Sequence, residues 1–276
     1  MNMEFEKALI SVQKKRPLVQ CITNFVTVND CANIILASGG SPTMASHLRE
    51  VEEAVAGVQA LVCNLGAIEK VDAMILAGKE ANRLGKPVIL DPVGAGGTKL
   101  RRDAAKRLLE AVQFAVIRGN ASEIRHLAGQ QSTGSGVDVS SLDEITEENL
   151  SAAVSMAEEL AKKLHSVIAI SGKTDVISDG KRSCILRNGC ATMARITGSG
   201  CMVTSLIGVF CGACEDIFLA ACAAMAAMGI SGEIAEEKRL RNGTGNATFR
   251  NDLIDAVFNM TEEKMKEGVR YELYER

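Results

Sequence analysis

The stretch Pro87-Val88-Ile89-Leu90-Asp91-Pro92-Val93-Gly94-Ala95-Gly96-Gly97 decides the fold. Its near-continuous apolar run is what a strand buried on both faces looks like. The run ends on a carboxylate and a glycine-rich turn, which puts Asp91 at the carboxyl edge of a parallel sheet, where open α/β folds bind their ligands. A simple turn with Asp91 as a helix cap gives the same pattern, so the stretch alone allows both readings.

Similar runs recur at 18–22, 60–63, 114–117 and 166–170. Amphipathic segments lie between them, for example at 71–84 and 147–164, each long enough to be a crossover helix. The pattern predicts an α/β fold with a mostly parallel central sheet and helices on both faces. No composition shift or internal repeat divides the chain, which reads as one domain over 1–276. Two places break the rhythm. Asp179-Gly180 inside 174–189 is a hairpin signal, and that hairpin is expected at a sheet edge. The Gly-, Gln-, Ser- and Thr-rich segment 128–141 reads as a surface insertion between helices. From Gly198 to Glu237 two helices follow each other, with apolar residues on nearly every face of 220–230, as expected of a helix deep in the core or pressed against another subunit.

Composition narrows the function. Hydrophobic residues make up 47% of the 276-residue chain and charged residues 24%, enough apolar material for a large core. With 31 Lys plus Arg against 34 Asp plus Glu, the net charge of −3 gives no basic field for gripping a phosphate backbone. Aromatic residues are 3% of the chain and Trp is absent, which removes stacking platforms, so nucleic acid is not expected as a partner. Nine cysteines, an odd number in mostly apolar contexts, fit a reducing cytoplasm. The N-terminus is acidic rather than basic-then-apolar, and the apolar stretch 201–214 is too short to cross a bilayer, so no membrane is expected either.

Two further places carry chemistry. In Arg118-Gly119-Asn120-Ala121-Ser122-Glu123, Asn120 and Glu123 have capping-box spacing. Asp91 and Glu123 nevertheless both fall at strand ends, where two carboxylates can hold a hydrated Mg²⁺ against phosphates. Arg195-Ile196-Thr197-Gly198-Ser199-Gly200-Cys201-Met202 is a glycine-spaced turn before an apolar helix, either a plain helix entry or an anion hole for a transferring phosphoryl group. The same positive helix end is expected to lower the pKa of Cys201. Other signals are weak. Gly172-Lys173-Thr174 ends like a phosphate-binding loop, but Val167 stands where its first glycine belongs. Cys211-Gly212-Ala213-Cys214 lies inside an apolar helical pattern with no second pair, and His47, His126 and His165 are scattered.

Taken in order, these residues resemble the ribokinase-like kinases and, within them, the hydroxyethylthiazole kinase family. The most specific match is Gln20-Cys21-Ile22-Thr23-Asn24-Phe25-Val26-Thr27-Val28-Asn29, continuing through Gly39-Gly40-Ser41-Pro42-Thr43-Met44. The resemblance covers nearly the whole chain and implies a ribokinase-like fold. It implies phosphorylation by ATP of the primary alcohol of 4-methyl-5-(2-hydroxyethyl)thiazole. It further implies that Met44, Asn24 and Gly198 contact the thiazole alcohol, that Arg118, Ser171 and Asn120 contact ATP, and that Asp91 and Glu123 position Mg²⁺. Cys201, with Gly198, Ser199 and Gly200, takes the place where most ribokinase-like enzymes carry an aspartate base, and cysteine there is typical of the thiazole kinases. Ser199 stands where threonine is usual, and Gly243-Thr244-Gly245-Asn246 replaces a more usual Gly-Pro-Gly-Ser. The resemblance implies a homotrimer, and residues 220–230 carry more apolar faces than one domain needs, so a trimer is expected, with residues 24–44 of one chain facing the 198–201 loop of another. Within the same fold, hydroxymethylpyrimidine kinases and the dehydratases that repair hydrated NAD(P)H are alternatives, but both carry aspartate at the Cys201 place. A non-catalytic ligand-binding member is the other alternative, and the joint presence of Asp91, Glu123 and the 198–201 loop argues against it.

Overall fold

The computed structural model describes residues 3–129 and 145–275. Its centre is a nine-stranded sheet made of β1 (Leu18–Ile22), β2 (Ser41–Thr43), β3 (Ala60–Asn64), β4 (Val88–Asp91), β5 (Val116–Asn120), β6 (Val167–Ser171), β7 (Asp175–Ser178), β8 (Arg182–Leu186) and β9 (Tyr271–Glu275). The spatial order is β2-β1-β3-β4-β5-β6-β7-β8-β9. The first six strands are parallel and the last three antiparallel. Because β2 lies on one side of β1 and β3 on the other, the chain reverses its winding direction at β1, the kind of point where such sheets open a crevice.

Eleven helices cover the sheet among the described residues: α1 (Phe5–Lys15), α2 (Val28–Ala37), α3 (Val51–Ala56), α4 (Val71–Arg83), α5 (Lys99–Ala111), α6 (Ala121–Leu127), α7 (Leu150–Leu164), α8 (Ser199–Ala213), α9 (Ile217–Asn242), α10 (Asn246–Phe258) and α11 (Glu262–Gly268). Side chains alternate across a strand, and the core divides accordingly. Ile89 and Val116 join a cluster with α1, α2, α8 and α9, whereas Val88, Leu90 and Ile117 join a second cluster with α3, α4, α5 and α7. The expected layering is therefore present.

Several boundaries and placements differ from the sequence expectation. Strand β5 runs to Asn120 rather than stopping at Ile117, because its pairing with β6 continues through Arg118↔Ala169 to Asn120↔Ser171. The hairpin of β7 and β8 is present but is not the edge. Strand β9 pairs with β8 from Arg182↔Glu275 to Leu186↔Tyr271 and takes that place. Most of the 128–141 insertion lies outside the described residues. Helix α9 buries every residue from Ala220 to Ile230 within this one chain, so the core alternative is the one realised and no surplus apolar face remains there for another subunit. At 26 residues α9, not the 201–214 stretch, is long and apolar enough to cross a membrane, yet 78% of its most apolar window is buried inside the fold.

Candidate active site

The parallel strands bring their carboxyl ends to one edge, and that edge collects the polar residues. Asn64 ends β3, Asp91 ends β4, Asn120 ends β5 and Ser171 ends β6. Pairing sets Asn64 beside Asp91 and Asn120 beside Ser171. Asn24 follows β1 by two residues at the winding reversal.

Asp91 is only 1% exposed. Its Oδ2 accepts hydrogen bonds from Thr204 Oγ1 at 2.8 Å and Asn64 Nδ2 at 3.1 Å, while Arg118 Nη1 lies 3.8 Å away. Among the described residues no hydrogen bond reaches Oδ1. Burial raises the Asp91 pKa, and the Arg118 guanidinium and the Thr204 hydroxyl oppose the shift. Arg118 in turn donates from Nη2 to Ser171 Oγ, so two of the three residues expected to meet ATP stand together.

Glu123 forms the capping box and more. Its Oε2 accepts from Asn120 N at 2.8 Å, while Asn120 Oδ1 accepts from Glu123 N at 2.9 Å. The other oxygen, Oε1, accepts from Gly94 N at 2.8 Å. One carboxylate thus ties the start of α6 to the glycine turn after Asp91. Burial, then the charge of Asp91, push its pKa up to about 7 despite the two backbone donors. The two carboxyls are close enough to oppose each other's ionisation.

The turn before α8 lies against these groups. Gly198 adopts φ of 87°, and a Cβ there would meet Thr27 Cγ2 at 2.7 Å. At Gly200 a Cβ would meet Arg118 Nη1 at 2.7 Å, so the turn needs both glycines for conformation and for close approach. Among the described residues no side chain caps this helix, which leaves its first backbone N–H groups, those of Ser199, Gly200 and Cys201, available to an anion.

Cys201 occupies the first turn of α8. Its Sγ accepts hydrogen bonds from Asn64 Nδ2 at 3.2 Å and from Asn24 Nδ2 at 3.6 Å. The expected lowering of its pKa does not occur. Burial, followed by the charge of Asp91, pushes the thiol up to about 12, because removing a thiolate from water outweighs the helix end. Asn24 belongs to the same chain as the Cys201 it touches, so this part of the expected inter-chain arrangement is met within one chain. Met44 follows edge strand β2, half-buried against the core.

Sequence reasoning missed Asn64, Thr204 and an ion pair between Asp30 and Arg250, Arg250 Nε lying 3.0 Å from Asp30 Oδ2. The pair fastens the start of α2 to α10. Asn64 stands at the end of its apolar run as Asp91 does, a signal that was available. Gly172-Lys173-Thr174 forms a turn into β7 rather than a helix entry, with Gly172 N donating to Asp175 Oδ1 at 2.9 Å.

The same architecture occurs in the solved pyridoxal kinase of Staphylococcus aureus in complex with AMP-PCP and pyridoxal, with a TM-score of 0.61 over 94% of this chain and 98% of that one; at 13% identity the likeness extends to the fold alone. In fold, the chain is ribokinase-like, a mostly parallel sheet flanked by helices. The sequence model of the hydroxyethylthiazole kinase family matches residues 9–263. Hydroxyethylthiazole kinases of Clostridium botulinum (strain Eklund 17B / Type B) and Clostridium beijerinckii are 49% and 47% identical to this chain, covering 96% of it in each case and 94% and 96% of their own lengths. The solved structure of the hydroxyethylthiazole kinase protein from Pyrococcus horikoshii OT3 is 33% identical with a TM-score of 0.86, over 98% of this chain and 99% of that one. This chain belongs to the hydroxyethylthiazole kinase family.

Proposed function

We propose that the chain transfers the γ-phosphoryl group of ATP to the primary alcohol of 4-methyl-5-(2-hydroxyethyl)thiazole, giving the thiazole phosphate and ADP, as a step of thiamine salvage. The observation that carries this is the uncapped Gly198-Ser199-Gly200-Cys201 turn packed against Arg118 at the strand ends. Phosphoryl transfer is catalysed mainly by positioning and charge stabilisation, and such a turn supplies both. Backbone N–H groups at the α8 entry receive the negative oxygens of the transferring group. Arg118 and Ser171 hold the nucleotide phosphates, with Asn120 at the start of α6 beside them. Asn24, Met44 and Gly198 line the thiazole side.

Cys201 stands where the alcohol must approach. With its pKa pushed up to about 12 it is a neutral thiol at physiological pH, so its task is to orient the hydroxyl for in-line attack rather than to take its proton beforehand. Loose transition states for phosphoryl transfer tolerate a weak base.

Mg²⁺ fits the donor set. Asp91 and Glu123 are buried hard-oxygen donors that oppose each other's ionisation, a surplus of negative charge that a divalent cation relieves. Magnesium ordinarily takes one or two carboxylates together with substrate phosphates, and among the described residues no group of three or more His, Cys, Asp or Glu forms an all-protein cage. Bound there, the ion would neutralise charge on the phosphate oxygens.

The whole chain acts as one cytoplasmic kinase unit assembled as a homotrimer with sites completed between subunits. Phe25, 87% exposed, and Val26, 58% exposed, directly after Asn24, support a partner surface beside the site. Light scattering is expected to give three times the 29.3 kDa chain mass; an active monomer would contradict the assembly. The activity is tested by ADP release with Mg-ATP across thiazole, pyrimidine and sugar alcohols. The hydroxyethylthiazole is expected to dominate kcat/KM, and equal turnover of hydroxymethylpyrimidine, or none of the thiazole, would overturn the substrate.

A further inference from the structure

Asn64 is buried at the end of β3 and takes part in four hydrogen bonds that share one amide. The orientation of that amide is not free. Gly66 N approaches one end at 2.9 Å, and a backbone N–H can only donate, so the atom facing it is the carbonyl Oδ1. Asn24 Nδ2 donates to the same Oδ1 at 3.2 Å. Asn24 is locked in its turn, because its own Oδ1 accepts from Val26 N at 3.1 Å and Thr27 N at 3.2 Å. With Oδ1 fixed, the Asn64 NH₂ must point the other way, and its two hydrogens go to Asp91 Oδ2 at 3.1 Å and Cys201 Sγ at 3.2 Å.

This arrangement has chemical consequences on both sides. Asp91 Oδ2 is occupied by fixed donors from Asn64 and Thr204, whereas among the described residues no hydrogen bond reaches Oδ1. On Cys201, two amide donors occupy the sulfur's lone pairs, so the S–H hydrogen has to point away from both amides. The direction in which the thiol can meet an alcohol is therefore set from behind. The close approach also explains Gly66, where a Cβ would meet Asn64 Oδ1 at 2.6 Å and Asn24 Nδ2 at 2.9 Å.

We propose that Asn64 is a positioning residue for the transfer step: one amide, locked by Gly66 and Asn24, fixes both the direction of the Cys201 thiol and the Asp91 oxygen offered to the reacting groups. The inference rests on the kinase reading above. Its role is orientation, so its loss acts on kcat far more than on binding.

Asn64→Asp tests this directly, because a carboxylate keeps the acceptor side toward Gly66 and Asn24 and loses both donors. The expected result is a fall in kcat of about 10²-fold, with both KM values and the calorimetric Kd of the thiazole alcohol, measured without nucleotide, within about threefold of wild type. Asn64→Ser, which adds no charge and is too short to reach both partners, is expected to lose about tenfold in kcat with the same split; it decides the matter by itself if the Asp variant does not fold. A kcat within threefold of wild type per folded molecule, or a loss appearing in KM and Kd rather than kcat, would overturn the role. If wild type ignores the thiazole but phosphorylates another alcohol, the substrate assignment fails, and the same kcat and KM comparison on that alcohol still decides Asn64.

Discussion

Cys201 separates two ways in which the site can work. A thiol held at about 12 by burial and by Asp91 is a poor base, so the proposed mechanism assigns most of the rate to the N–H groups of the α8 entry and to the groups around Arg118. Cys201→Ala is expected to bind ATP and the thiazole alcohol nearly as wild type does and to lose about 10²-fold in kcat, the scale on which a misplaced reacting group acts. Calorimetry alongside steady-state kinetics checks it; an unchanged kcat would make Cys201 a packing residue. The sign of its pKa shift was hidden in the sequence because Gly198-Ser199-Gly200 announces a helix N-terminus there, whereas the burial that wins comes from chain segments distant in sequence. The carboxylates were easier to find. Asp91 ends an apolar run, and the spacing of Asn120 and Glu123 announces a cap that the structure contains. What spacing could not tell is that Glu123 also reaches Gly94, since that contact depends on β4 lying next to β5.

At the scale of elements, the α8 entry depends on the approach of β5. Gly200→Ala puts a methyl group where Arg118 Nη1 now lies, 2.7 Å from the ideal Cβ, so the guanidinium must move off Ser171. The expected outcome is a KM for ATP raised about tenfold, on the scale of one lost charge-assisted hydrogen bond, with the melting temperature little changed. Steady-state kinetics with varied ATP measures it, and an unchanged KM would remove Arg118 from the nucleotide site. Buried strands were legible because parallel strands covered on both faces are nearly continuous apolar runs. Their ends were less so: β5 extends to Asn120 through its ladder with β6, and Arg118-Gly119-Asn120 carries no strand-like composition of its own. The edge position of the β7–β8 hairpin failed for a related reason. Its covering strand, Tyr271–Glu275, comes from the far end of the chain, and no local signal in the hairpin foretells a partner.

For the molecule as a whole, the crowded carboxylates link stability to pH. Glu123 moves from its ordinary 4.5 to about 7 on folding, chiefly through burial and then the charge of Asp91. Between those values the folded chain holds a proton that the unfolded chain has released, so the contribution is complete below about 4.5 and is lost as pH rises through about 7. The ligand-free melting temperature is expected to fall across that window, to fall less in Glu123→Gln, and to recover at pH 8 on adding Mg-ATP; a slope that is identical in Glu123→Gln would show that the carboxyl is not strained. The place of Asn64 at the end of an apolar run was legible, but its partners were not, because they depend on β3 pairing with β4 and on α8 returning 137 residues later. The most direct measurement of the central claim follows the phosphoryl group itself, by mass spectrometry of the products from γ-labelled ATP and the hydroxyethylthiazole. The expected result is one labelled thiazole phosphate for each ADP formed, with the label on the primary alcohol; ADP accompanied by free labelled phosphate, or no turnover, would contradict it.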